Sequence, residues 1–160
     1  PPSFVCCLKP DGTCSVLAEP FQFCNGLALT DGDKTLIVAE TQTDLLWKGA
    51  WDSATCTWID PQPWADVEKH TGPGGPDGMC YGADGLLYVA VFGSSQIRVI
   101  DPAGKVVATY DLPDENPTNC AFDPLGVLGL VVTGSKTGKL LSIPTLGPGI
   151  DLYDGGDVWE

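Results

Sequence analysis

The feature that most constrains this chain is a recurring order of short runs and turns. Three runs open with Asn or Asp: Asn25-Gly26-Leu27-Ala28-Leu29, Asp77-Gly78-Met79-Cys80-Tyr81 and Asn119-Cys120-Ala121-Phe122. The openers stand 52 and 42 residues apart. Each run leads through a turn (Asp31-Gly32-Asp33-Lys34, Ala83-Asp84-Gly85, Asp123-Pro124-Leu125-Gly126) into a strongly apolar run. Those are Leu36-Ile37-Val38-Ala39, Leu87-Tyr88-Val89-Ala90 and Leu130-Val131-Val132-Thr133. They are β-branched or aromatic and continuous rather than alternating, which suits strands buried on both faces.

A second pair of turns, Lys9-Pro10-Asp11-Gly12-Thr13 and Asp101-Pro102-Ala103-Gly104-Lys105, joins further β-rich runs. Their Pro-Asp-Gly and Pro-Ala-Gly centres suit tight hairpins. Lys105–Leu112 alternates openly, with Val106, Ala108, Tyr110 and Leu112 on one face and Val107, Thr109 and Asp111 on the other. The unit is therefore four strands at a period of roughly 40–50 residues, which predicts an all-β chain folded as a β-propeller. Only Ala65–His70 suits helix, for one turn at most. Glycine (20 residues) and proline (14) leave little room for long helices.

Laid out by this unit, residues 1–20 are an incomplete blade, and 21–66, 67–112 and 113–160 are whole blades of one partial propeller domain. About three and a half blades do not close a ring, because propellers need about 4–8. The expectation is that N-terminal blades are absent, or that two copies complete a ring as a homodimer. The exposed flank should then carry apolar residues near Phe4, Val5 and Phe21.

Charge excludes several partners. Eight Lys+Arg against 21 Asp+Glu give a net charge of −13. Such a surface repels nucleic-acid phosphates and anionic membranes. No run is long enough for a transmembrane helix. Seven cysteines form no CxxC pair, and the one histidine, His70, stands in a polar connection. Cys6, Cys7, Cys14, Cys80 and Cys120 lie in apolar runs and read as small buried hydrophobes of a reducing, cytoplasmic compartment.

The strand openers carry the chemistry. First strands line a propeller's channel, so Asn25, Asp77 and Asn119 should form part of a ring around its axis. Two amides and a carboxylate offer the oxygen ligands that hard cations such as Ca²⁺ take. The same residues also commonly start strands and cap turns. Gly26 and Gly78 are read as allowing unusual dihedrals beside the openers.

Phe23-Cys24-Asn25-Gly26-Leu27-Ala28-Leu29 with Lys34-Thr35-Leu36-Ile37-Val38-Ala39-Glu40-Thr41 resembles the SMP-30/gluconolactonase (regucalcin-like) family. So do Gly74-Gly75-Pro76-Asp77-Gly78-Met79 with Asp84-Gly85-Leu86-Leu87-Tyr88-Val89-Ala90, and Pro117-Thr118-Asn119-Cys120-Ala121-Phe122. The resemblance implies a six-bladed propeller of which this is the C-terminal half, and a metal-dependent, gluconolactonase-like hydrolase opening a sugar-type lactone to its hydroxy acid. It implies Asn25 and Asp77 as metal ligands; Asp77 is ligand, catalytic base or both, and Asn119 is a candidate substrate-binding residue. The cofactor expected is a divalent ion, Ca²⁺ first, with Zn²⁺ or Mn²⁺ as replacements. A third ligand, a Glu, and further substrate-binding Asn and Arg are implied in the absent blades, so little activity is expected from this chain alone. The competing expectation is a non-catalytic fragment that binds or assembles.

Other features have structural readings. Trp47, Trp51, Trp58 and Trp64 suit packing between blades. Ser94-Ser95 lacks a His–Asp pattern. Asp151, Asp154 and Asp157 lack the spacing of a calcium loop.

Overall fold

The computed structural model describes residues 2–30, 32–68 and 73–151. Strands β1 (Ser3–Leu8) and β2 (Cys14–Phe21) form an antiparallel hairpin. β3 (Cys24–Thr30), β4 (Thr35–Glu40), β5 (Leu45–Asp52) and β6 (Thr57–Asp66) form a four-stranded meander, as do β7 (Gly75–Tyr81), β8 (Leu87–Phe92), β9 (Gln96–Ile100) and β10 (Val106–Asp111). β11 (Pro117–Phe122), β12 (Leu130–Gly134) and β13 (Lys139–Ile143) form a three-stranded antiparallel sheet. The inner strands β3, β7 and β11 lie side by side, so the sheets are successive blades of a partial β-propeller.

The turns close as their sequences dictate. Asp101 Oδ1 accepts from the Ala103 and Lys105 N–H groups, both at 2.9 Å, while Gly104 takes φ +83°, a conformation that disfavours residues with a Cβ. Asp123 gathers the N–H groups of Leu125, Val127 and Leu128 in the same manner.

The core lies between sheets. Side chains alternate along a strand, so a run apolar at every position feeds two interfaces. In β8, Leu87, Val89 and Val91 face the preceding sheet, where they meet Ile37, Leu46 and Val67. Tyr88 and Ala90 face the following sheet, against Leu130 and Val132. β10 alternates as expected, with Val106, Ala108 and Tyr110 half-buried and Val107, Thr109 and Asp111 exposed. The tryptophans behave as packing residues: Phe21 lies edge-on to Trp47 at 5.3 Å and stacks on Trp58 at 6.2 Å, and Lys48 Nζ sits 4.8 Å from the Trp64 ring.

Three expectations change. Ala65 and Asp66 end β6 rather than starting a helical turn, and His70 lies outside the described residues, as do Asp154 and Asp157. The short 3-10 turn falls at Thr41–Thr43 instead. Val5 and Phe21 are buried, at 8% and 4%, because they pack on Leu36, Val38 and Trp58 of the next sheet. Of the three residues expected on the flank, only Phe4 is exposed. Cys6 and Cys14 are exposed rather than buried. Register explains this: Cys6 pairs with Val16 and Cys14 with Leu8, so both thiols share the uncovered face of the hairpin with Phe4, Leu8 and Val16. Among the described residues no helix is long and apolar enough to cross a membrane.

Candidate active site

Asn25, Asp77 and Asn119 occupy the same place in three successive sheets. Each sits near the start of an inner strand where the pairing with the second strand slips: between Cys24 and Leu27 in β3, between Pro76 and Met79 in β7, and between Pro117 and Asn119 in β11. Such bulges re-aim a side chain out of the regular pleat. All three openers line one cavity at the channel, with Leu27, Tyr81 and Phe122 among its other walls.

The glycines do a different job from the one expected. Neither Gly26 nor Gly78 takes a left-handed φ. A Cβ on Gly26 would collide with the Asp77 carbonyl, and one on Gly78 with the Asn119 side chain. Each glycine therefore gives room for the next blade's opener to approach.

Asp77 is the site's ionisable group. Burial pushes its carboxyl up to about 6, against hydrogen bonds from the Asn25 side chain and the Gly78 N–H that pull it down. An anion held at such a cost attracts a cation. Asn25 donates through Nδ2 to Thr41 Oγ1 at 3.2 Å. Thr41 Oγ1 donates in turn to the buried Pro76 carbonyl at 2.8 Å. Asn119 differs: its Oδ1 accepts from the Cys120 N–H at 2.9 Å. Among the described residues no cluster of three or more His, Cys, Asp or Glu is assembled. The hard oxygen donors in place, from Asn25 and Asp77, nevertheless suit part of a Ca²⁺ shell.

Two residues near the openers had no role in the sequence reading. Thr41 ends the Lys34–Thr41 segment, but its contact with Asn25 depends on the 3-10 turn that follows β4. Glu40, 5% exposed, accepts from Gln22 N, Thr43 Oγ1 and Trp47 Nε1 and is a structural tie.

A partial propeller with an Asn-Gly and an Asp-Gly bulge at its channel defines the class, and comparison with known proteins defines the family. The SMP-30/Gluconolactonase/LRE-like region matches residues 2–136, and the chain belongs to that family. It is 37% identical over 124 residues to diisopropyl-fluorophosphatase of Loligo vulgaris, covering 74% of this chain and 38% of that protein. It is 31% identical over 101 residues to lactonase drp35 of Staphylococcus epidermidis, covering 63% and 31%. The solved structure of a gluconolactonase from Xanthomonas campestris superposes with a TM-score of 0.65 at 28% identity, covering 82% of this chain and 41% of that one. The chain thus spans well under half the length of these relatives, which include lactonases by name.

Proposed function

We propose that this chain forms part of a propeller that hydrolyses a sugar-type lactone to its hydroxy acid with the help of a divalent cation. The observation that carries the reading is the pairing of Asn25 and Asp77 at matching bulges of adjacent inner strands, with the Asp77 carboxyl raised to about 6. The lactonase and gluconolactonase among its relatives support the substrate class.

In this reading Asn25 Oδ1 and an Asp77 oxygen would hold the cation, and oxygen donors suit calcium. A bound cation supplies polarisation of the lactone carbonyl. The second Asp77 oxygen accepts a proton from the water that attacks the carbonyl carbon. A carboxyl near 6 is mostly ionised at neutral pH and still basic enough for that transfer. The ring C–O bond breaks, and Asp77 returns that proton to the departing ring oxygen, which becomes the new hydroxyl. The Asn119 NH₂ donates to a substrate oxygen.

The blades at 21–66, 67–112 and 113–160 supply these three residues, and the remainder of the shell comes from blades that complete the ring, or from a second copy. The test is hydrolysis of glucono-1,5-lactone and calcium calorimetry on the purified chain and its Asp77→Asn variant. Calcium binding that disappears in the variant, with weak calcium-dependent turnover in the parent, is expected. Calcium affinity unchanged by the substitution would overturn the assignment.

A further inference from the structure

We propose that Thr41 is a positioning residue that decides which way round the Asn25 amide lies, so that Oδ1 rather than NH₂ faces the ligand. The inference rests on the reading of Asn25 and Asp77 as a cation-binding pair.

An asparagine amide has two ends of similar size and opposite polarity, and only the carbonyl end ligates a cation. Something must select the end. Thr41 does so through a chain of forced choices. The Pro76 carbonyl can only accept, so the Thr41 hydroxyl that meets it at 2.8 Å must spend its one proton there. The hydroxyl then has only lone pairs for its other neighbour. The Asn25 atom lying 3.2 Å away must therefore be the donor, Nδ2. The Asn25 side chain also donates to the Asp77 carboxyl, which makes the same demand. Both neighbours draw the NH₂ to one side, and Oδ1 turns away from Thr41.

Thr41 is itself fixed. It is 8% exposed, and its N–H donates to the Phe23 carbonyl at 3.0 Å. Gly75 has no side chain where one would collide with the Thr41 carbonyl, which lets the 3-10 turn of one blade rest on β7 of the next. The hydroxyl thus bridges two blades: it takes its orientation from Pro76, one residue before Asp77, and passes it to Asn25. Groups that orient metal ligands in this way typically matter about 10–100-fold in affinity.

Two measurements on the ¹⁵N-labelled 160-residue chain test the proposal, using calcium alone as the probe. Without calcium, the Asn25 side-chain NH₂ should give a nuclear Overhauser contact to Thr41, absent in Thr41→Val and restored for residue 41 in Thr41→Ser. With calcium, Thr41→Val should weaken binding at least about tenfold and Thr41→Ser by less than about threefold. A carboxylate has two equivalent ends and needs no selection. In an Asn25→Asp background the Thr41→Val effect should therefore fall below about threefold, whereas any loosening around Pro76 would persist there. Equal Thr41→Val effects in both backgrounds would overturn the proposal, as would a missing Asn25–Thr41 contact in the parent. A parent that keeps the contact but binds no calcium would overturn both the positioning role and the cation reading beneath it. A parent that binds calcium, with Thr41→Val neutral, would overturn the positioning role alone.

Discussion

Gly78 and Asn119 meet across the boundary between two blades, and a Cβ on Gly78 would occupy the space of the Asn119 side chain. The Asn119 amide is fixed there by its bond from the Cys120 N–H. Gly78→Ala is therefore expected to push β11 away from β7. Overpacking of this kind costs about 1–3 kcal/mol, measurable by urea unfolding. The Asn119 side-chain amide resonances should move with it. Gly12→Ala is the comparison, since nothing lies within 4 Å of a Cβ there and only its left-handed φ of +84° is strained. It should leave the Asn119 resonances in place. Unchanged stability in Gly78→Ala would contradict the close approach.

Asp77 makes stability and calcium affinity respond to pH in opposite directions. Its carboxyl is raised from 3.8 to about 6, so the folded chain holds this proton more tightly than the unfolded chain. Stability should fall as pH rises between those two values, because ionisation in the buried setting is the unfavourable step. Asp77→Asn should flatten that part of the profile. Calcium competes with the proton, so affinity should rise with pH through about 6 and level off above it. A calcium affinity indifferent to pH between 5 and 7 would argue against Asp77 as the ligand; the range brackets the raised value.

Glu40 carries the opposite dependence. Burial raises its pKa, but hydrogen bonds from Gln22, Thr43 and Trp47 outweigh that and hold the carboxyl below its ordinary 4.5. The stability this confers is present above 4.5 and is lost as pH falls through the folded value. Glu40→Ala leaves donors of Gln22 and Trp47 unpaired, at about 1–3 kcal/mol for each that water cannot reach. Thermal unfolding at pH 7 should show the loss, and unfolding near pH 3 should show less of it.

The fold was legible because its signals were local and repeated. Turn chemistry at Asp101-Pro102-Ala103-Gly104 and the unbroken apolar run at Leu87–Val91 each specify their element without reference to the rest. The openers were legible as positions, since a repeat brings equivalent residues together. Their detailed chemistry was not. Whether an asparagine presents oxygen or NH₂ depends on its hydrogen-bond neighbours: Thr41 and Pro76, distant in sequence, for Asn25, and the backbone of the next residue, Cys120, for Asn119. The role of Gly26 and Gly78 was missed for the same reason, because the group each makes room for lies on the following blade. Cys6 and Cys14 depart from expectation because a run's composition does not say whether both faces of its sheet are covered.

Thiol reactivity should follow that covering. Cys6 and Cys14 are exposed, whereas Cys120 is 4% exposed, lies 3.6 Å from Cys80 Sγ, and has its pKa well above the ordinary value through that contact and through burial. Iodoacetamide should modify Cys6 and Cys14 in the native chain and Cys120 only after unfolding. Mass mapping of labelled peptides reads the order, and early labelling of Cys120 would contradict the packing of β11 on β7 and β8.

The same face predicts self-association. Phe4, Leu8 and Val16 are 55%, 73% and 54% exposed on the first hairpin, and Leu125 and Val127 in the β11–β12 turn and Leu140 in β13 are 85%, 72% and 73% exposed. Exposed apolar surfaces of this extent drive association, and propeller sheets ordinarily cover such faces with a neighbouring blade. Sedimentation of the 160-residue chain should show dimers or larger species. Leu8→Lys should shift the distribution toward monomer, because a charge in the middle of the contact is costly to bury. Association through the hairpin would also cover Cys6 and Cys14, so their labelling should slow as protein concentration rises and recover in Leu8→Lys. A chain that stays monomeric at high concentration, with both thiols equally reactive throughout, would show that these faces are tolerated in water.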